Sequence, residues 1–333
     1  MKKLSVIIPT RNRAKLLETT LHSIVNQSLA IDDFEVIVVD NGSTDETADI
    51  AKGFSQKLQL VLVFDATPGL HVGRHKGMSA ASTDILVFID DDIEAHPKWL
   101  ETIYETFQSN PKIGLVGGKN LPKYQSPPPF WITEMWNRRI RLGHVMSDLS
   151  ILDFGDVARE IPPDFVYGCN FSVRREVILS AGGFHPDGFP FELIKFRGDG
   201  ETHISDFVAA SAWVAFYHPG ASVNHWVPTD RMTEEYFCKR RYMQGISAAF
   251  ADLRARKSRS NVQATWMEKL KFKIKAVMGT AQIELLNEIS KDILKTDFEK
   301  RLMRSYRLGR EFLYSCYDAD ASVREWVHKK DYF

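Results

Sequence analysis

At 333 residues, with 44% apolar and 26% charged positions, the chain is long enough for one large domain or two ordinary ones and is rich enough in apolar residues to bury a core, which excludes the disordered and collagen-like classes. Lys plus Arg number 43 and Asp plus Glu 43, so no overall field draws the protein to nucleic acid, and none is expected as a partner. The three cysteines, Cys169, Cys238 and Cys316, are far apart and form no C-x-x-C pair, which argues against a disulfide framework or a thiolate zinc site and favours a reducing cytoplasm. The apolar run after Lys3 stops at Pro9, too short for a signal peptide, and no apolar stretch reaches the roughly 18 to 20 residues that span a bilayer.

Short continuous apolar runs alternate with amphipathic segments over the first third, the pattern of buried parallel strands covered by helices. Leu4 to Ile8 reads as a strand stopped by Pro9, Ala14 to Gln27 as a helix, and Phe34 to Val39 as a strand ending at Asp40. Ser43 or Thr44 is placed to cap the next helix. Strands follow at Leu60 to Phe64 and Ile85 to Ile89, with a helix near Arg74 to Ala81 between them. Pro97 suits the first turn of a helix running to about Asn110, and Ile113 to Val116 is a fifth strand. From about Lys119 to Pro163 the prolines and aromatics read as loops and short helices over a pocket mouth. Regular structure returns from Phe165 to His225, and beyond Thr229 the pattern is mainly helical. The expected division is one domain over 1–228, in two halves at 1–118 and 119–228, followed by a helical extension at 229–333.

Asp90, Asp91 and Asp92 follow directly on the strongest strand, Ile85 to Ile89. Ligands of open α/β sheets bind at the carboxyl ends of strands, so these acids face the expected crevice. Side-chain alternation puts Asp90 and Asp92 on one side and Asp91 on the other. Two converging carboxylates repel unless a cation compensates, and Mg²⁺ or Mn²⁺ completed by substrate phosphates answers that need. A solvated acidic turn that caps a helix fits the same residues. Asp40 also ends a strand and is placed to accept hydrogen bonds from a ribose or base, while Asn41-Gly42 forms a turn. Neither G-x-G-x-x-G after the first strand nor G-x-x-x-x-G-K-[ST] anywhere is present, so the phosphates must be held by other means.

Three segments are specific in their order and spacing, Ser5-Val6-Ile7-Ile8-Pro9-Thr10-Arg11-Asn12-Arg13, Val38-Val39-Asp40-Asn41-Gly42-Ser43-Thr44-Asp45 and Phe88-Ile89-Asp90-Asp91-Asp92, and two more accompany them, Gly69 to Gly77 with Arg74 and Gly168 to Arg175 with Gly182-Gly183-Phe184. In this order and spacing they resemble the inverting glycosyltransferases of family two, over residues 1 to about 245. The resemblance implies an α/β fold of the GT-A type, with a mainly parallel central sheet flanked by helices and a helical C-terminal extension. It also implies transfer of a sugar from a nucleotide-diphospho-sugar, with a UDP-sugar the expected donor and a glycan or lipid-linked molecule the acceptor.

Carried over by position, Pro9, Thr10 and Arg11 line the base pocket, Asp40 contacts the base, and Arg74 lies near the base or diphosphate. Asp90 takes the ribose hydroxyls, Asp91 belongs with the nucleotide-sugar-binding residues, and Asp92 holds the Mn²⁺ or Mg²⁺ that bridges the diphosphate. His225 stands where some GT-A enzymes supply a metal-binding His, and a buried structural His fits the same position. Family members take their general base from a Glu-Asp pair near a helix start. Here the stretch is Asp199-Gly200-Glu201, which departs from that pattern; Glu201 is favoured as the base, Asp199 is the other candidate, and a plain helix cap with an acidic first turn fits too. Trp131, Trp136, Phe189 and Phe191 are candidates for stacking on sugars or for packing under a loop.

Between Arg254 and Lys275 eight basic residues face one acid, Glu268. An amphipathic stretch over 254–281 is therefore expected to touch the inner face of an anionic membrane or to pack on the protein with its lysines in water. Neither transmembrane helices nor the Q-x-x-R-W motif of processive synthases is present in the sequence, so transfer is expected to be non-processive. A sugar nucleotidyltransferase, or an inactive nucleotide- or glycan-binding module, are the competing assignments.

Overall fold

The computed structural model describes residues 2–260 and 296–333. Two compact units emerge: Met1–Glu192, Gly200–Thr233 and Lys330–Phe333 form the first, and Leu193–Asp199 with Glu234–Lys329 form the second.

The first unit is built on an eight-stranded sheet in the order β11-β13-β6-β12-β4-β1-β2-β3. Its strands are β1 (Leu4–Thr10), β2 (Phe34–Asp40), β3 (Leu60–Phe64), β4 (Ile85–Ile89), β6 (Ile113–Gly117), β11 (Arg159–Ile161), β12 (Asn170–Arg174) and β13 (Val214–Tyr217). β1, β2, β3 and β4 are parallel neighbours, whereas β12 runs antiparallel between β4 and β6, so the sheet is mixed. Every residue of β1, β2 and β4 is buried. Alternate side chains feed two cores: Leu4, Val6, Ile8, Val36 and Val38 pack with α1 (Ala14–Val25), α2 (Thr47–Gly53) and α4 (Trp99–Ser109), and Ile7, Ile37, Val39 and Phe88 with α3 (Leu70–Ala80), α6 (Arg175–Ala181) and α7 (Thr202–Ala210). This two-faced burial explains the unbroken apolar runs.

Pro9 does not end β1. It pairs with Val39 of β2, while pairing with β4 stops at Ile7, so its missing N–H falls where the strand has a single neighbour. The cap expected of Ser43 or Thr44 is not made: α2 starts at Thr47, whose N–H is bound by Asp45 Oδ1 at 3.1 Å, and Ser43 Oγ instead accepts from Asn12 N–H at 2.9 Å.

Segment 119–163, expected as loops and short helices, contributes α5 (Phe130–Asn137) and most of a second sheet in the order β5-β14-β7-β10-β9-β8. Its strands are β5 (Ile93–Ala95), β7 (Asn120–Tyr124), β8 (Arg139–Ile140), β9 (Gly143–Met146), β10 (Ile151–Asp153) and β14 (Val223–Val227). β14, far along the chain, pairs with both β5 and β7, and so the central strands of this sheet have no local sequence signature.

In the second unit α8 (Glu234–Ser260) packs on α9 (Asp297–Ala319), followed by α10 (Ala321–Val327). Gly245 and Gly309 let these helices touch: a Cβ on either would run into the backbone of Tyr306 or Tyr242. Lys195 pairs with Asp320 at 2.8 Å, Ser247 Oγ donates to the Gly198 carbonyl at 2.7 Å and Trp326 Nε1 to the Phe196 carbonyl at 2.7 Å, which fixes Leu193–Asp199 among the helices. No described helix is long and apolar enough to cross a membrane. Positions 261–281 of the stretch expected at a membrane surface lie outside the described residues.

Candidate active site

The carboxyl ends of β1, β2 and β4 lie side by side, as parallel pairing in this order requires, and each delivers a polar residue: Thr10, Asp40 and the Asp90-Asp91-Asp92 turn. The chain leaves extended geometry after Ile89, so simple alternation does not govern the three acids. Asp91 turns inward, accepting from Thr10 Oγ1 at 2.7 Å and from Arg13 Nη1 at 2.7 Å. Burial, together with Asp92, outweighs the pull of Arg13 and Thr10 and pushes the Asp91 carboxyl up to about 6. These contacts make Asp91 and Thr10 anchors of the turn. Arg11 is exposed; Arg13, two residues on, reaches Asp91 and Asp92. Asn12 at φ 52 makes the bend between them, and a positive φ tolerated by Asn was the available clue.

Asp92 is 5% exposed. Its Oδ2 meets Arg13 Nη1 at 2.9 Å and Arg231 Nη2 at 3.3 Å, and its Oδ1 faces His225 Nε2 of β14 at 3.4 Å. Burial works to raise this carboxyl, but His225, Arg231 and Arg13 outweigh it and hold it well below the usual carboxylate range. His225 is 3% exposed, and its Nδ1 lies 3.0 Å from the Leu149 carbonyl. A carbonyl only accepts, so Nδ1 carries a proton; a second proton on Nε2 pairs the ring with Asp92, whereas a neutral ring turns the Nε2 lone pair towards that carboxylate, where a cation can meet both. Asp92 Oδ1 is buried with no hydrogen-bond partner.

An oxygen and a nitrogen acceptor set edge to edge, one of them orphaned, suit a divalent cation such as Mn²⁺ or Mg²⁺. Among the described residues no group of three or more His, Cys, Asp or Glu is arranged for a metal, so such an ion would draw its other ligands from water or a phosphate. Cys169 lies nearby, where burial and the surrounding acids raise its thiol well above the ordinary value.

Arg74, on α3 and 3% exposed, links the other carboxylates. Its Nη2 is 3.5 Å from Asp90 Oδ1 and donates to the Gly168 carbonyl at 3.1 Å, and its Nη1 is 3.4 Å from Glu201 Oε2. Burial opposes its charge, but Glu201, Asp90 and Asp187 outweigh that and raise its pKa further. Burial also raises the Asp90 carboxyl against the pull of Arg74, with Asp92 adding to the rise. A Cβ on Gly168 would collide with both Arg74 and Glu201, so the glycine keeps room for that pair. Glu201 immediately precedes α7, accepts from Gly168 N–H at 3.3 Å, and keeps its side chain 29% exposed. It is therefore not a simple first-turn acid: its carboxylate is aimed at Arg74 and open to solvent. Asp199 is buried and falls in the second unit.

Asp40 is 3% exposed and accepts from Ser43 N–H at 2.7 Å, closing the Asn41-Gly42 turn, in which Gly42 has φ 79. Of the aromatics, Trp136 stacks on His144 at 5.4 Å and Phe189 meets His71 edge-on at 5.3 Å, whereas Phe191 is 70% exposed.

The model of glycosyl transferase family 2 matches residues 5–179, just over half the chain. Among characterised relatives, a glucosyl-dolichyl phosphate glucuronosyltransferase of Haloferax volcanii is 25% identical over 262 residues, 75% of this chain and 78% of the relative. A 4,4'-diaponeurosporenoate glycosyltransferase of Staphylococcus aureus is 36% identical over 60% of this chain and 58% of its own length. A validoxylamine A glucosyltransferase of Streptomyces hygroscopicus is 40% identical over 102 residues, but the match spans 30% of this chain and 24% of that protein. Among solved structures, a mannosyltransferase of Pyrobaculum calidifontis in complex with GDP-Man and Mn²⁺ superposes with a TM-score of 0.56 at 18% identity, over 96% of this chain and 88% of the other. Staphylococcus aureus TarS with UDP-GlcNAc gives 0.55 at 15% identity, over 98% and 90%. These likenesses establish the α/β fold with mixed sheets and a C-terminal helical pair, and with the sequence match they show that the chain belongs to glycosyl transferase family 2 and has the GT-A fold.

Proposed function

We propose that the protein is a non-processive, inverting glycosyltransferase that moves a sugar from a nucleotide-diphospho-sugar, a UDP-sugar by preference, to a glycan or lipid-linked acceptor. One observation carries the reading: the orphaned Asp92 Oδ1 and His225 Nε2 face each other at the carboxyl end of the sheet, with Asp90, Arg74 and the accessible Glu201 joined beside them. The mannosyltransferase above holds Mn²⁺ with its nucleotide sugar, and the dolichyl-phosphate relative supports a lipid-linked acceptor.

In this reading Asp92 and His225 hold a divalent cation, which when bound offsets the charge that gathers on the departing diphosphate. Arg13 and Arg231, already directed at Asp92, supply guanidinium donors for the same oxygens. Pro9, Thr10, Arg11 and Asp40 border the base, and Asp90 accepts from the ribose hydroxyls. Glu201 takes the proton from the acceptor hydroxyl. The acceptor oxygen then bonds to the anomeric carbon from the face opposite the nucleoside diphosphate, the bond from that carbon to the diphosphate oxygen breaks with its electron pair, and configuration inverts. Arg74 holds the Glu201 carboxylate in place. The cytoplasm is the expected location.

The test is hydrolysis of a panel of nucleotide sugars with Mn²⁺ by the full chain. Turnover of one donor, with an anomer-inverted product from an added acceptor, is the expected result. Tight nucleotide binding with no turnover of any donor would overturn it in favour of an inactive binding module.

A further inference from the structure

The Gly182-Gly183-Phe184 segment, prominent in the sequence, has no part in the mechanism above. Gly182 and Gly183 follow α6 at φ 87 and 83, a left-handed pair that only glycines adopt easily. A Cβ on Gly183 would strike both the His75 ring and the Phe333 ring. The turn is therefore a seat, shaped to let two rings lie against the backbone.

His75 fills that seat, directly after Arg74 on α3. Its Nδ1 lies 3.1 Å from the Tyr332 carbonyl, and its Nε2 accepts from Phe184 N–H at 2.9 Å. A carbonyl partner on one side and an N–H on the other fix a single neutral tautomer with both nitrogens used. The Phe333 ring covers the imidazole at a centroid distance of 4.5 Å. Phe184 in turn is 1% exposed, meets Phe88 of β4 edge-on at 4.9 Å, and carries the Arg74 guanidinium over its face at 5.1 Å. A cation held over an aromatic face is oriented by it as well as attracted.

We propose that His75 is a positioning residue: clamped between Tyr332 and Phe184, it fixes the ring that supports Arg74 and so links the Tyr332–Phe333 segment to donor binding. The inference rests on the assignment of Arg74 to the nucleotide-sugar site. His75 contacts no reacting group. It sets where the guanidinium stands between Asp90 and Glu201, which a diphosphate or ribose must meet without rearrangement.

The experiment is a double-mutant cycle read by calorimetric titration of UDP with Mn²⁺, using Arg74→Ala, His75→Asn and the pair in the full chain. His75→Asn keeps a donor near Nδ1 but loses the acceptor for Phe184 N–H. It is expected to weaken UDP about ten-fold in the presence of Arg74 and to have no further effect in its absence. His75→Gln, which returns an acceptor near Nε2, is expected to restore most of the affinity. If His75→Asn fails to fold, Phe333→Ala replaces it, since that ring is 53% exposed and its loss leaves the imidazole uncovered. Equal effects of the His75 or Phe333 variant with and without Arg74, or no effect at all, would overturn the inference. If Arg74→Ala itself leaves UDP affinity unchanged, the placement of Arg74 at the donor is what fails.

Discussion

His225 Nε2 stands 3.4 Å from Asp92 Oδ1, yet no hydrogen bond satisfies that oxygen. With Nδ1 committed to the Leu149 carbonyl, a neutral imidazole meets the Asp92 carboxylate acceptor against acceptor, an arrangement that a second proton on Nε2 or a bound cation relieves. Asp92→Asn is expected to remove the Mn²⁺-dependent part of UDP affinity, roughly 100-fold, and His225→Ala to remove about ten-fold. Isothermal titration of UDP with and without Mn²⁺ checks both, and circular dichroism checks that the fold survives. Equal UDP affinity of wild type and Asp92→Asn in Mn²⁺ would exclude this carboxylate as a ligand.

Glu201 keeps its side chain 29% exposed while contacting Arg74, which leaves the proposed base open to an incoming hydroxyl. Glu201→Gln is expected to lower the transfer rate about 10³-fold while changing donor affinity less than three-fold. Asp199→Asn is expected to retain more than about a tenth of wild-type turnover. Initial rates for the two variants decide between the carboxylates: the reverse ranking makes Asp199 the base.

Glu35 is buried between β1 and β2 and accepts from Ser5 Oγ at 2.6 Å, Ser82 N–H at 2.6 Å, Ser82 Oγ at 2.8 Å and Lys2 Nζ at 3.0 Å. Burial opposes its charge, but these donors outweigh it and pull the carboxyl from 4.5 down to about 2. A folded-state pKa below the unfolded one stabilises above pH 4.5, and that contribution fades as pH falls towards 2. Allowing for solvent near Lys2, Glu35→Gln is expected to cost about 2 kcal/mol at pH 7 and progressively less below pH 4.5. Urea midpoints of both proteins across that range would show the gap closing; a gap independent of pH refutes the assignment.

Gly309 lies where α9 touches the Tyr242 backbone of α8. Gly309→Ala gains helix propensity but must push the helices apart, and a net loss of about 2 kcal/mol is expected. Lys300→Ala, an exposed site on α9, serves as the control and is expected to change the thermal midpoint little. A Gly309→Ala protein as stable as wild type would mean that the helices are not held at this contact.

The first half of the main sheet was readable because burial on both faces leaves continuous apolar runs: β3 and β4 fall at the residues their composition marks, 60–64 and 85–89. The second sheet was not. β8 has two residues and β10 three, and β7 carries Pro122 at a position that pairs with the distant β14 alone, since β10 meets β7 only at Asn120, so its register is fixed by contacts no local window contains. The same division runs through the site. Asp90, Asp92, Arg74, Glu201 and His225 could be named from motifs, and the structure gathers them. That Arg13, two residues past Arg11, ties Asp91 to Asp92 depends on the bend at Asn12. The inward turn of Asp91 depends on Thr10 across two strands. Both are products of tertiary placement, which spacing does not encode.

Leu193–Asp199 takes its partners from the helices while Glu201, two bonds of chain further on, takes its own from Arg74 and Gly168. A fragment trimmed after Thr233 would thus lose Trp326, Ser247 and Asp320 and leave a loose seven-residue tether attached one glycine upstream of Glu201. The helical part is not an appendage to be cut away for convenience: it anchors the stretch of chain that leads into Gly200 and Glu201.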